Sequence, residues 1–189
     1  VYNLPRIISC SEITDDYLIL PRGCEESAIY FLRENNVEVE IQDKTNPGQP
    51  IEVDFNGELY PGQKQAIEEL ARHRCGTLYA TTAFGKTVTA AAMIARKKVN
   101  TLILVHTKAL LDQWRERLSE YLVTDFQPDE QPKGRGRRKK FRQFGALSST
   151  ENSINGKIDI VLLQSCISDN EVKQFVRNYG MVIVDECHH

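Results

Sequence analysis

Ala80-Thr-Thr-Ala-Phe-Gly-Lys-Thr87 is the stretch from which the fold is read. Gly85, Lys86 and Thr87 stand at the offsets of a phosphate-binding loop. Such a loop turns its backbone N–H groups around a phosphate. It then opens a helix whose positive dipole end favours the same anion. The motif carries weight only between a strand and a helix. The sequence predicts that setting, with a strand from Gly76 to Ala80 and a helix from Thr87 to Lys97. Thr82, Ala83, Phe84 and Gly85 would then cradle the nucleotide phosphates. Lys86 would neutralise the β- and γ-phosphates of ATP, and the Thr87 hydroxyl would ligate Mg²⁺. Ala83 in mid-loop must carry a Cβ through whatever backbone conformation the loop takes there.

Reading outward, strands and helices alternate. Asn100 to Val105 reads as a strand and Lys108 to Leu122 as a helix. Ile158 to Gln164 reads as a strand, Asn170 to Tyr179 as a helix and Met181 to Glu186 as a strand. The strand cores, such as Leu102-Ile-Leu-Val105 and Ile160-Val-Leu-Leu163, are apolar at every position. Strands of that kind are buried on both faces, which predicts an α/β fold: a parallel sheet with helices on both faces. Upstream, Pro61 with Gln63 to Arg74 reads as a helix, and the main domain is placed at residues 58–189. Residues 1–57 read as a small α+β module. Tyr17-Leu-Ile-Leu20 is a strand and Glu25 to Asn35 a helix. Val37, Val39 and Ile41 then alternate with polar residues, as do Ile51, Val53 and Phe55, which predicts a hairpin.

A second motif is Met181-Val-Ile-Val-Asp-Glu-Cys-His-His189. Its apolar strand delivers two carboxylates at the end where such sheets bind ligands. Asp185 would hold Mg²⁺ through its water shell, and Glu186 would polarise the water that attacks the γ-phosphate. Asp-Glu after a strand is by itself also a helix-capping pattern. The loop ending in Gly85-Lys-Thr87 tips the reading towards catalysis, with Lys86, Asp185 and Glu186 as the catalytic set.

Composition sets the outer limits. The chain has 189 residues, 41% apolar and 26% charged, which is globular rather than disordered. No apolar run approaches the ~18 residues of a membrane span, and no secretory pattern opens the chain. The five cysteines are odd in number and without paired spacing. Neither a disulfide framework nor a zinc site is indicated, and a reducing, cytoplasmic compartment is expected. Charge is uneven beneath the net −2. Residues 1–70 hold 5 Lys/Arg against 14 Asp/Glu, and residues 71–189 hold 19 against 12. Within Lys133 to Arg142, seven of ten residues are cationic. That run reads either as a solvated loop or as a phosphate-contacting one through Arg135, Arg137, Arg138, Lys139 and Lys140.

At these residues the chain resembles the first RecA-like domain of a superfamily 2 helicase of the DExH type, with Asp185-Glu-Cys-His188 as the signature. Leu59-Tyr-Pro-Gly-Gln63 resembles the Q motif, which implies that Gln63 reads the adenine edge. Leu104-Val-His-Thr-Lys-Ala-Leu-Leu-Asp-Gln-Trp114 resembles motif Ia, implying nucleic-acid contacts at Thr107 and Lys108, although an arginine often stands where Thr107 is. Leu163-Gln-Ser165 resembles the segment that touches the nucleic-acid backbone, through Gln164 and Ser165. His188 would couple the ATP site to a second motor domain. Within the family, the motif Ia phrase is most similar to translocases of the XPB-like and type III restriction kind. The resemblance implies ATP and Mg²⁺ as cofactors and duplex DNA as partner. It also implies a second RecA-like domain outside this chain and a nuclease or methyltransferase partner, in restriction, defence or repair. The chain is then half a motor, cut from a larger protein, with slow turnover of its own. Three alternatives remain open: a nucleic-acid-binding module with a vestigial nucleotide site, an RNA-directed DExH helicase, and a P-loop ATPase outside the helicases. Trp114 reads as core, and Tyr2, Tyr17, Tyr30 and Phe31 read as core or rim rather than base-stacking platforms.

Overall fold

A computed structural model describes residues 10–126, 142–169 and 171–187. In chain order the elements are β1 (Glu12–Ile13), β2 (Leu18–Ile19), α1 (Glu25–Glu34), β3 (Val53–Phe55), α2 (Pro61–Arg72), α3 (Lys86–Lys97) and β4 (Thr101–Val105). There follow α4 (Lys108–Tyr121), β5 (Leu122–Thr124), β6 (Gly145–Leu147), β7 (Ile158–Leu162), β8 (Ile167–Ser168), β9 (Glu171–Val172) and β10 (Met181–Val184). Short 3-10 turns occupy Arg22–Cys24, Leu163–Cys166 and Gln174–Asn178.

The central sheet runs β10-β4-β7-β6, and every pairing is parallel. Its register aligns Ile183, Ile103, Ile160 and Ala146 in one row. Alternate residues of a strand face opposite sides, so the sheet builds two cores. On one side Ile103, Val105, Ile158 and Ile160 pack with α3 and α4. Helix α3 meets the cluster through Ala91, Ile94 and Ala95, and α4 through Leu111, Trp114 and Leu118, a helical stripe. On the other side Leu102 and Val161 pack with Cys166, Tyr179, Phe175 and Val176, from the 3-10 turns and their flanks. The expected α/β architecture is present, with the sheet covered on both faces, as in a RecA-like domain.

Two polar anchors hold the end of the sheet away from the motifs. Asn100 is buried, and its side chain accepts from the Gln49 and Gly180 amides and donates to the Gly156 and Asn178 carbonyls. Asp159, also buried, accepts from the Tyr179 hydroxyl at 2.6 Å and from the Asn155 and Gly156 amides. Burial pushes its carboxyl above the usual range, although all three hydrogen bonds pull the other way. A Cβ at position 145 would collide with this carboxylate, so only glycine fits β6 there.

Several local expectations change. Gly76–Ala80 forms no ladder. A strand needs a paired neighbour, and among the described residues none lies beside it. Tyr79 is 98% exposed, while Val182 and Val184 on β10 stand half exposed at the sheet edge. The hairpin expected within residues 37–55 is absent. Residues 37–49 hold no strand, Val37 and Ile41 are exposed, and β3 pairs antiparallel with β5 instead. Ile51 and Val53 join the main core, and Phe55 stacks on Tyr121 at 6.1 Å. Alternation marks a half-buried strand without naming its partner, and the larger core won. The expected helix over 170–179 gives way to β9 and a five-residue 3-10 turn. With Glu171 and Val172 taken into the β8–β9 ladder, too little chain remains to repay helix nucleation. Of the residues read as core or rim, Tyr30 and Phe31 are exposed because α1 buries no residue, and Tyr17 is exposed beside β2; Tyr2 lies outside the described residues.

Candidate nucleotide site

The phosphate-loop sequence folds as a curl. The Phe84 amide donates to the Thr81 carbonyl, and both Ala83 (φ +68°) and Gly85 (φ +84°) take the left-handed conformation. For Ala83 that conformation costs about 1–2 kcal/mol. Gly85 has a further reason to be glycine, since a Cβ there would stand 2.5 Å from Gln63 Nε2. Helix α3 starts at Lys86, one residue before the expected start, with no acidic residue in its first turn. The Thr89 amide and hydroxyl both return to the Gly85 carbonyl. The twelve-residue helix therefore presents its positive end to the loop, with no acidic residue of its own first turn to offset it.

Gln63 braces this loop from α2. It is 3% exposed. Its Nε2 donates to the Phe84 carbonyl at 2.8 Å, and its Oε1 accepts from the Tyr60 amide at 2.9 Å. Both ends of the side-chain amide are thus committed to protein groups. Contact with a base would have to share or displace these bonds.

The second motif meets the first. Strand β10 ends at Val184, and the Asp185 amide donates to the Leu104 carbonyl at 3.0 Å. Glu186 follows in the left-handed conformation (φ +51°), which turns its carboxylate towards the loop. Its Oε1 lies 3.6 Å from Lys86 Nζ, both side chains being part exposed. Asp185 Oδ2 accepts from Trp114 Nε1 at 2.7 Å. Trp114 is the core residue expected, 3% exposed, and this bond is additional to its packing. The only sequence clue to it is an indole N–H placed in a helix that must be buried, since such a donor needs a partner.

The oxygen set suits Mg²⁺. No three or more His, Cys, Asp or Glu side chains converge among the described residues. A closed zinc cage needs such a group, whereas Mg²⁺ keeps several waters and takes one or two protein oxygens beside substrate phosphates. Asp185 and the Thr87 hydroxyl are oxygens of that kind.

Of the residues expected at nucleic acid, Thr107, Lys108, Gln164 and Ser165 lie at the same end of the sheet. Thr107 caps α4 by accepting from the Leu110 amide. Lys108 Nζ is held 2.6 Å from Asp112, so much of its charge is answered within the helix. Gln164 Nε2 donates to the His106 carbonyl at 3.4 Å, which brings the turn carrying Gln164 and Ser165 beside the start of α4. Arg135, Arg137, Arg138, Lys139, Lys140 and His188 lie outside the described residues.

Residues 56–189 match the family model described as "Type III restriction enzyme, res subunit". The chain belongs to that family. This res-family chain is 28% identical over 161 residues to the DNA 3'-5' translocase XPB2 of Sulfurisphaera tokodaii, covering 85% of this chain and 31% of that protein. It is 32% identical over 142 residues to the transcript termination protein A18 of Fowlpox virus, covering 69% of this chain and 28% of that protein. The res-family chain spans about half or less of the length of the curated relatives it matches. Among its described residues no helix is long and apolar enough to cross a membrane.

Proposed function

We propose that this chain is the ATP-binding half of a DNA-dependent ATPase that works as a helicase or translocase on duplex DNA. The observation that carries the reading is the approach of Lys86 to Glu186, which joins the phosphate loop to the carboxylate motif at one end of the parallel sheet. Translocase and helicase relatives support it.

The loop amides, the α3 dipole and Lys86 would bind the triphosphate, with Gln63 fixing the loop that presents them. Asp185 and Thr87 would hold Mg²⁺, which would neutralise the charge developing on the phosphates. Lys86 lies by Glu186. An arriving γ-phosphate would draw Lys86 to itself and leave Glu186 to accept a hydrogen bond from the attacking water. A second RecA-like domain would bring an arginine to the transferring phosphoryl, a contact worth about 10³–10⁵ in rate in related enzymes. Turnover by this chain alone is therefore slow. Thr107, Lys108, Gln164, Ser165 and the basic run from Arg135 to Lys140 would follow the DNA backbone. Action in the cytoplasm, in restriction, defence or repair beside a nuclease or methyltransferase, completes the proposal.

Calorimetry of Mg²⁺-ATP binding to the chain and to Lys86→Ala tests the site. Binding that survives the substitution unchanged overturns it. ATP turnover by a longer protein carrying this chain, compared with duplex DNA, single-stranded DNA and RNA, tests the substrate. Stimulation by RNA alone would move the assignment to an RNA-directed helicase.

A further inference from the structure

Trp114 and Asp185 are 71 positions apart in sequence and 2.7 Å apart in space. The indole belongs to α4 and sits in the cluster with Ile103, Val105 and Ile94. Its ring is fixed by packing on all sides, so its N–H points in one direction only. That direction ends on one of the two oxygens of the motif II aspartate. The Asp185 backbone is fixed separately, by its amide on Leu104. Together the two bonds leave the carboxylate little freedom to rotate. The helix that carries the indole begins at Thr107 and Lys108, about 9 Å along its axis from Trp114. A helix start expected at nucleic acid and a carboxylate expected at Mg²⁺ are therefore joined through α4 and one hydrogen bond.

The geometry assigns Trp114 as a positioning residue: its indole N–H sets the orientation in which Asp185 takes the Mg²⁺ of the bound nucleotide. This rests on the ATP-site reading above. Partners of this kind, which orient a metal-holding side chain without touching the metal, typically change metal affinity or activity by about 10–100-fold when removed. Packing alone gives no reason for the bond, because a phenylalanine would fill most of the same space.

Trp114→Phe keeps an aromatic ring and removes the donor. The measurement is calorimetric binding of ATPγS to the whole chain, once with Mg²⁺ and once with EDTA. The variant should lose about tenfold or more in affinity with Mg²⁺ and change less than about twofold with EDTA. Equal affinity in both conditions, or an equal loss in both, overturns the assignment. Trp114 is the chain's single tryptophan, so fluorescence supplies a readout independent of that variant's folding. Asp185→Ala should alter the emission of the ligand-free protein. In the wild type, Mg²⁺ with ATPγS should alter emission where ATPγS with EDTA does not. Emission unmoved by Asp185→Ala overturns the contact even if Trp114→Phe fails to fold. Failure of wild-type protein to bind ATPγS in either condition overturns the ATP-site reading itself, and this assignment with it. Binding that ignores Mg²⁺ overturns the positioning role alone.

Discussion

Gln63 Nε2 donates to the Phe84 carbonyl at 2.8 Å, tying the start of α2 to the phosphate loop 21 residues on. The same amide accepts from Tyr60, so one buried side chain fixes both the helix start and the loop. Gln63→Glu keeps the acceptor for Tyr60 and removes the donor for Phe84. It also sets a carboxylate against a carbonyl beside the phosphate site. A hydrogen bond of this class contributes about 0.5–1.5 kcal/mol. Mg²⁺-ATP affinity should fall at least about fivefold in calorimetry. Unchanged affinity would free the loop from Gln63.

Lys86→Ala separates binding from folding. Its partner Glu186 is a third exposed and the lysine 40% exposed, so their ion pair adds little to stability. A charge-assisted contact with phosphate is stronger, about 1.5–3 kcal/mol. Nucleotide affinity should fall about 10- to 150-fold while the urea midpoint hardly moves. A large drop in the midpoint would mark Lys86 as structural instead.

What could be read from sequence follows from how local each signal is. Leu111, Trp114 and Leu118 repeat at helical spacing, and the apolar runs of β4 and β7 point to a buried parallel sheet, whereas β10, equally apolar, stands part exposed at its edge. The loop at Gly85-Lys-Thr87 and the carboxylates of Asp185 and Glu186 were legible for the same reason, because residue type and spacing carry them. Gly76–Ala80 was not, since its apolar residues fit a strand but no described neighbour pairs with it. The partner of Val53 and Phe55 was equally hidden, because β5 lies beyond three helices and a strand of the sheet. The bonds of Gln63 to Phe84 and Trp114 to Asp185 depend on packing between elements, which no local pattern encodes.

Ala83 carries its Cβ through φ +68°, where glycine is at ease. Ala83→Gly relieves about 1–2 kcal/mol of strain and returns part of it as added freedom of the unfolded chain. A net gain of up to about 1 kcal/mol is expected in urea unfolding. A loss on substitution would show that the Cβ makes contacts outweighing the strain.

The Asn100 side chain makes four hydrogen bonds, which join residues 49, 156, 178 and 180 beneath the sheet. Asn100→Ala leaves the Gln49 amide and the Gly156 and Asn178 carbonyls without this partner in a part-buried place, while the Gly180 amide keeps its bond to the Asn100 carbonyl. At about 1–3 kcal/mol for each buried group left without a partner, the loss should reach at least 3 kcal/mol, even with partial relaxation. Thermal unfolding reads this directly, and a shift of only a degree or two would mean that water replaces the asparagine.

Asp159 gives the pH dependence its sign. Burial raises its carboxyl above the usual value against the pull of the Tyr179 hydroxyl and two backbone amides, while burial and this same neighbour push the Tyr179 hydroxyl upward too. A carboxyl raised in the folded state binds its proton more tightly there than in the unfolded chain. Its contribution is therefore fully present below the unfolded value of 3.8 and is lost as pH rises through the folded value. Asp159→Asn cannot titrate. It also presents an N–H₂ where a backbone amide donates, at a cost of about 1–3 kcal/mol. The gap in unfolding free energy between wild type and variant should be widest near pH 4 and narrow towards pH 7, as measured by urea titrations at both. A gap that widens with pH would mean that the three donors overcome burial and hold Asp159 ionised.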